Sequence, residues 1–436
     1  MATAATAYAG VRDVLTGKRQ IYYGWRVLLV GTIAMALGSG LSMSSFGLYV
    51  HPLEDEFGWN RADVSVAYSV AILTGGLVGP FIGHWVDAHG ARFCIVVGGC
   101  LAACSYILLA MTQELWQFYV FYGIHAVFRQ MMFFLPFQSL ISQWFERRRG
   151  VALSILGSGF SIGGFVVLPI VAVAIGGLGW RGAFLFSGVV LGIFYLLAGI
   201  FVLRNRPADV GELIDGNREP EAGAPVRPAS RNAEGMTLRE AMRTPQFWLC
   251  AVGFMLLFFG MIGWMAHQVP FYESVGMSRA TATFIVSMIA GLGVLSRLSI
   301  GLIADHFDRF ELVVVALLGT LMLGMVTLLI STHPVAIGIF IICWVIGSSM
   351  GPLAESIVLI KAFGLRHFGS ILGAVLVVET SGEVLSPSIA GIIYDRTGSY
   401  DGALVMFGAA FALGMVLFVI AARMQTPMNY RHAQEA

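Results

Sequence analysis

The sequence predicts an all-α membrane protein of twelve transmembrane helices in two pseudo-symmetric six-helix bundles, on three observations. The 436-residue chain is 57% hydrophobic and 12% charged, with a mean hydropathy of +0.80, a composition foreign to a water-soluble fold of this size. Its apolar residues fall into twelve runs of roughly 20 residues or more, each long enough for a ~30 Å hydrocarbon core. The second half also repeats the first at a constant offset of about 218 positions. Gly58, Arg61, Ala62, Ser69, Gly75, Leu77, Ile82, Gly83 and Asp87 recur as Gly276, Arg279, Ala280, Ser287, Gly293, Leu295, Ile300, Gly301 and Asp305. Phe145, Arg148, Gly164 and Pro169 recur as Phe363, Arg366, Gly382 and Pro387. Two equivalent membrane bundles follow, an organisation common in secondary transporters with a midplane site between the repeats.

The spans run over 24–50, 61–86, 92–112, 116–142, 150–174 and 182–203, then 246–272, 279–304, 310–332, 334–360, 368–394 and 401–423. The chain thus divides into an N-terminal segment (1–23), a first bundle (24–203), a linker (204–245), a second bundle (246–423) and a tail (424–436). Residues 1–20 are polar and lack the apolar core of a cleavable signal peptide, so the first span is expected to direct insertion. With both termini in the cytoplasm, all but six of the 26 Lys and Arg fall on that side. Arg61, Arg181, Arg279 and Arg396 lie outside, and Arg129 and Arg297 lie within spans. That asymmetry is the positive-inside bias, so segment, linker and tail are expected to be cytoplasmic. Only Lys18 and Lys361 of the basic residues are lysines, which fits a GC-rich bacterium and hence its inner membrane.

The linker is the single long hydrophilic stretch. Residues 217–235 are rich in Pro, Ala, Glu and Arg without apolar periodicity, the composition of a disordered tether. Thr237-Leu-Arg-Glu240 has capping-box spacing, and Leu238, Ala241 and Met242 give one apolar face of a short surface helix. Thr244-Pro245 then opens the seventh span, with proline where a missing N–H is harmless.

Net charge of +1 argues against a nucleic-acid partner. Cys94, Cys100, Cys104, Cys250 and Cys343 all lie in apolar spans without metal-ligand or disulfide spacing and read as small buried hydrophobes. No nucleophile–base or metal constellation is present, so no enzyme, metal or cofactor is expected. No obligate protein partner is evident either; the partners implied are the lipid bilayer and a small solute.

Gly83-His-Trp-Val-Asp87-Ala-His-Gly90-Ala-Arg92, between spans 2 and 3, resembles the signature loop G-x-x-x-D-x-x-G-x-R of the major facilitator superfamily. Gly301-Leu-Ile-Ala-Asp305-His-Phe-Asp-Arg309 is its second copy, with Asp308 where the second glycine would stand. The resemblance covers essentially the whole chain. It implies alternating access by two rocking bundles, with Gly83, Asp87, Arg92, Gly301, Asp305 and Arg309 as a gating set. Asp87 and Asp305 are expected to cap the next helix or to pair with Arg at the cytoplasmic edge; simple loop chemistry is the plainer reading.

Trp144-Phe145-Glu-Arg147-Arg148-Arg149-Gly150, with the small-residue run Gly157-Ser158-Gly159 behind it, is similar to the monocarboxylate porter and oxalate–formate exchanger branch. Tyr22-Tyr23-Gly24-Trp25 resembles that branch's element before the first helix but lacks its usual acidic residue, and His267-Gln-Val-Pro270 looks like its His-x-x-Pro. The resemblance implies a small organic anion as substrate, a mono- or dicarboxylate. It also places a substrate-binding arginine in helix 8, where Ser296-Arg297 stands.

The sequence departs from the branch in three places. The acidic residue of animal carriers one turn before that arginine is Gly293, helix 1 has no lysine after Arg26, and Glu379 and Glu383 occupy the region of the exchangers' helix 11 lysine. Known coupling and oxalate-clamping arrangements therefore do not transfer.

Ionisable side chains inside spans are expensive and usually face the bundle interior or a wet cavity. Arg129 lies near midplane, ~20 Å into its span. It is either a second anion anchor or a structural partner. Arg297 offers a planar fork to a carboxylate. Its plainer alternative is an ion pair with Glu379, from which its depth differs by only ~6 Å. Glu379 and Glu383 share one helix face a turn apart and can carry a co-transported proton, balance the charge of Arg297, or pair structurally. His125 and His267 are further proton candidates, and His267 can donate to a carboxylate. Glu355 reads as a gate or interface residue. Phe133, Phe134, Phe137, Phe258, Trp264 and Trp344 form an aromatic set that either lines a cavity or packs.

A proton-coupled exporter of drugs or metabolites is the alternative within transport, opposed by Gly163-Gly164-Phe-Val-Val-Leu-Pro169 in helix 5, which lacks that group's Gly-Pro pair. A non-transporting sensor on a carrier fold is the alternative outside it, and no signalling domain supports it.

Overall fold

A computed structural model describes residues 22–216, 235–304, 310–349 and 351–424. The tether at 217–235 lies outside the described residues but for Gly235, as do Asp305 and Arg309. Twelve helical spans run through the described chain. They are α1 (Tyr23–Phe57), α2 (Arg61–Leu77 and Gly79–His89), α3 (Ala91–Ala110), α4 (Leu115–Trp144), α5 (149–178) and α6 (180–201). The second half gives α7 (Pro245–Ser274), α8 (Arg279–Ala304), α9 (Phe310–Ile330), α10 (Pro334–Ser348 and Gly351–Phe363), α11 (Phe368–Thr397) and α12 (Asp401–Arg423). The sequence separates α5 from α6 by a loop; the structure joins them through one residue, Gly179, at φ 70° and ψ 171°, a backbone state that glycine adopts at little cost. Large apolar side chains such as Phe81, Phe165, Val173, Leu295 and Ile330 point outward, as a lipid-facing belt requires.

Several spans are interrupted, and the interruptions have local causes. Pro80 follows the 45° bend of α2. Pro136 cannot donate to the carbonyl of Met132, and α4 breaks between them at Phe133 (φ −113°, ψ −131°). The freed Met132 carbonyl accepts from the Tyr195 hydroxyl at 3.2 Å. In α1 the small-residue stretch Ser39–Ser44 is π-helical, and the Leu41 carbonyl accepts from Ser45 Oγ at 2.6 Å and Tyr106 Oη at 2.7 Å. It packs on a second π-helical stretch in α5, Gly163–Val167, where Gly40 and Gly163 allow the two backbones to touch.

The linker starts and ends as structure. The Glu212 carboxylate accepts from Tyr23 N at 2.9 Å, and Asp215 accepts from Arg147 N at 2.8 Å. Burial, with the negative charges of Asp215 and Glu212 behind it, holds the Tyr22 phenol above its usual titration range. At the far end Thr237 and Glu240 form the expected capping box, and Thr244 caps α7 through Phe247 N at 3.3 Å. Met236 N donates to the Phe363 carbonyl at 2.9 Å. The end of the molecule that carries the linker is the linker face; its other end is the opposite face.

The bundles meet through two pseudo-equivalent helix pairs, α2 with α11 and α8 with α5. Glycine makes the first possible: Gly79 lies on Gly373 and Gly83 on Gly369, and a Cβ on Gly83 would overlap the Gly369 carbonyl. The Asp87 carboxylate closes this seam, accepting from Gly369 N at 3.0 Å, Ser370 N at 2.8 Å and Ser370 Oγ at 2.6 Å. Asp87 therefore caps α11 of the other bundle, not the next helix, and does not pair with arginine. Arg92 instead donates from Nε and Nη2 to the Gly199 carbonyl, at 3.1 and 2.9 Å, and Asn205 caps α3 at Arg92 N. Asp87 thus acts across the seam, whereas Arg92 acts inside its own bundle.

Gly83→Val is expected to hold the linker face apart. Spin labels at the exposed positions Arg148 and Arg366 should then report a distance longer by several ångström than in the unmutated chain. An unchanged distance distribution would mean that the glycine seam is not what closes this face.

Candidate functional site

Where the Asp87 bonds join the bundles at the linker face, Arg297 joins them deeper in the interior. Its Nη1 crosses to α5, donating to the Gly157 carbonyl at 3.2 Å and Ser161 Oγ at 2.9 Å. Its Nε donates to the Ser349 carbonyl at 3.2 Å, at the break in α10. A Cβ at Gly157 would sit 3.7 Å from Arg297 Cδ, an ordinary contact, so the two helices approach here without overlap. The arginine has hydrogen-bond acceptors from two helices, α5 and α10, but no carboxylate among the described residues. The alternative, an ion pair with Glu379, is therefore not made.

Arg129 stands in α4 of the other bundle, 7% exposed, with Nη1 buried and unpartnered. Gly75 of α2 leaves space beside it, and the Tyr68, Tyr106 and Tyr122 phenols lie within the field of its charge. It too makes no ion pair among the described residues. His125, one turn earlier, hydrogen-bonds through Nδ1 to Ser105 Oγ at 2.8 Å. The Ser105 hydroxyl hydrogen is already given to the Ala102 carbonyl at 2.6 Å, so Nδ1 carries the imidazole proton and Nε2 is a buried bare acceptor.

The carboxyls gather elsewhere. Glu379 in α11 and Glu355 in α10 are each 2% exposed and lie within hydrogen-bonding reach of one another, with the Oε1 atom of each left without a partner. A hydrogen bond between two carboxyls needs an O–H on one of them. Glu383, a turn along α11, lies within the field of both and shares that of Tyr68 with Arg129. Glu355, read from the sequence as a gate or interface residue, is buried beside Glu379. One aspect of the sequence could have indicated it: its depth in an apolar span.

The remaining candidates resolve into structure. His267 places Nε2 2.9 Å from the Pro387 carbonyl and Nδ1 3.2 Å from the Tyr400 hydroxyl. The carbonyl can only accept, so Nε2 donates, and neither ring nitrogen remains for a substrate in this conformation. Trp264 packs on Phe340 and Trp344 at ring-centroid separations of 5.1 and 6.1 Å, and Phe133, Phe137 and Phe258 are buried, so the aromatic set packs the bundles. Cys104 is exposed and Cys100 partly so, unlike the buried Cys94, Cys250 and Cys343. Gly301 lies in the last turn of α8. A separate cavity of about 350 Å³ opens at the linker face between Asp87, Gly90, Gln143, Asn205 and Arg366, away from the interior charges.

Comparisons with known proteins agree with this architecture. A family model described as Major Facilitator Superfamily matches residues 28–387. The oxalate:formate antiporter of Oxalobacter formigenes is 24% identical over 413 residues, 93% of each chain. Monocarboxylate transporter 12 of Xenopus laevis is 24% identical over 422 residues, covering 92% of this chain and 88% of that protein. Among solved structures, the proton:xylose symporter XylE bound to 6-bromo-6-deoxy-D-glucose superposes with a TM-score of 0.71 at 14% identity, over 90% of this chain and 94% of that one.

His267→Ala is expected to cost about 1–3 kcal/mol of stability, because it leaves the Pro387 carbonyl and the Tyr400 hydroxyl without their partner. Thermal unfolding in detergent would fall, while the apparent affinity for a transported solute stays unchanged. A large loss of affinity at unchanged stability would return His267 to the substrate site.

Proposed function

The chain belongs to the major facilitator superfamily and is a secondary transporter, and we propose that its cargo is a small organic anion, a monocarboxylate, carried together with a proton. The observation that carries this reading is the separation of interior charge. An arginine at the centre of a span costs about 2.5–3.5 kcal/mol on insertion scales, and pairing with a carboxylate is the ordinary relief. Arg297 and Arg129 both forgo it, with three carboxyls within the same interior. An uncompensated guanidinium at the bundle interface is a site for an anion that comes and goes.

Arg297 has the geometry to grip it. Nε and Nη1 are occupied, and Nη2 makes no hydrogen bond among the described residues. An incoming carboxylate can take Nη2 and compete with Gly157 and Ser161 for Nη1, forming the two parallel bonds that suit a guanidinium. Because those two acceptors belong to the other bundle, binding the anion weakens a cross-bundle contact. That links occupancy to the rocking of the bundles, with Gly83, Asp87 and Ser370 as the seam to be opened.

Charge balance supports the proton. With one proton among Glu355, Glu379 and Glu383, the two arginines and the carboxyls sum to zero. A monocarboxylate adds one negative charge, and a second proton cancels it, so the loaded carrier can reorient without moving net charge. The branch similarity and the positive-inside asymmetry support a cell membrane with the linker in the cytoplasm.

Uptake of labelled carboxylates into proteoliposomes, with and without an inward proton gradient, tests the reading. The unmutated protein should accumulate a monocarboxylate under the gradient, and Arg297→Ala should lose at least ~100-fold in transport, the equivalent of a ~3 kcal/mol charge-assisted hydrogen bond. Accumulation should be insensitive to membrane potential set with valinomycin and K⁺. Uptake that is driven by potential, or that survives Arg297→Ala, would refute the assignment.

A further inference from the structure

Interior carboxyls occur at three depths on two helices. Measured along the helices from the linker face, Glu355 lies ~12 Å from the end of α10 at Phe363. Glu379 lies ~16 Å and Glu383 ~22 Å from the start of α11 at Phe368. They thus form a descending series: Glu383 lies a turn from Glu379 on α11, Glu379 lies within hydrogen-bonding reach of Glu355, and the buried Oε1 atoms of Glu379 and Glu355 have no other partner. The top of the series also reaches toward the other bundle, since Glu383 and Arg129 both act on the Tyr68 phenol. The bottom passes behind the seam, since Thr380, next to Glu379, packs against Gly76 of α2, and the closed contacts at Gly79, Gly83 and Asp87 lie nearer the linker face.

We propose that Glu383, Glu379 and Glu355 form a proton relay that runs past the closed seam, with the Glu355–Glu379 pair as the site where the coupling proton is held and Glu383 as its entry. This rests on the carrier reading for what the proton drives, but not for its existence. A proton arriving from water at the opposite face bonds to a Glu383 oxygen. It passes to Glu379 as the Glu383 O–H bond breaks, while the proton the pair already shares moves fully onto Glu355, so the loaded carrier holds both. When the linker face opens, the Glu355 proton leaves to water and the pair again shares one. No other bond changes and no redox partner is required.

The surroundings suit a proton and not a salt bridge. From α2 the trio is approached by Tyr68, and from α4, through Tyr68, by Arg129. Asp87 of α2 is committed to Gly369 and Ser370, His267 of α7 to Pro387 and Tyr400, and Arg297 of α8 to Gly157, Ser161 and Ser349. Glu311, at the start of α9, is buried beside Cys250 of α7. Among the described residues no Lys or Arg forms an ion pair with any of the three carboxyls. Like charges gathered in low dielectric resist full ionisation, and a shared proton is the simplest relief.

Infrared spectroscopy of the substrate-free, full-length protein in detergent tests the site directly. A protonated-carboxyl C=O band that shifts in D₂O is expected at neutral pH. It should be lost alike in Glu355→Gln and Glu379→Gln, because the pair holds one proton together, and kept in Glu383→Gln and Glu355→Asp. A band absent from the unmutated protein, or one that survives Glu355→Gln in a monodisperse preparation, would overturn the proposal. In proteoliposomes, Glu355→Gln and Glu383→Gln should both lose gradient-driven accumulation while retaining exchange of internal for external carboxylate. Gradient-driven accumulation by Glu383→Gln equal to the unmutated protein would remove Glu383 as the entry. If the band pattern holds but no carboxylate moves, the proton site stands and the cargo assignment falls.

Discussion

Charge that is not paired inside the membrane is the constraint on which this structure turns. A carrier interior can hide its ionisable groups as ion pairs, and here the sequence offers the means: two arginines and three glutamates at similar depth. The fold keeps them apart. Arg297 is held by neutral acceptors across the bundle interface, Arg129 stands among phenols in the other bundle, and the carboxyls turn toward one another. An anion and a proton are the two species that would complete such an interior, each at its own place.

The same interior is built from interrupted helices, and three of the interruptions are answered by a side chain. Tyr195 takes the Met132 carbonyl freed by Pro136, Ser45 and Tyr106 take the Leu41 carbonyl in the π-helical turn of α1, and Arg297 takes the Ser349 carbonyl at the break of α10. Non-helical backbone at membrane depth survives only where it is buried in protein or lines a cavity, which is where these breaks stand. Arg297 is thus a structural ligand of one bundle, a latch onto the other and the free cation of the interface. A change in any of these roles moves the others.

Much of the architecture was legible in the sequence because it is written periodically. The offset that carries Gly83 and Asp87 onto Gly301 and Asp305 marks the two bundles, and capping chemistry at Thr237, Glu240 and Thr244 marks the end of the linker. The candidate site was legible only in part. Spacing along one helix reveals that Glu379 and Glu383 share a face, but cannot reveal that Glu355 comes to meet Glu379 from α10. Nor does local sequence say that Asp87 would cap a helix that begins 282 residues later, since glycine contacts between α2 and α11 decide it. The alternative Arg297–Glu379 pair is not made for a related reason: similar depth is necessary for a contact, and the rotation of each helix about its axis is what makes it. His267 looked free because Pro387 and Tyr400, its partners, are remote in sequence.

The central claim is that Arg297 exchanges its cross-bundle contacts for the carboxylate of the cargo. The most direct measurement is a high-resolution structure determined with a brominated monocarboxylate, the halogen located by its anomalous signal. The account predicts the carboxylate on the Arg297 guanidinium, with the contacts to Gly157 and Ser161 lengthened or broken and no ligand among the three glutamates. A bound anion elsewhere with the Arg297 contacts intact, or Arg297 turned onto Glu379, would contradict it.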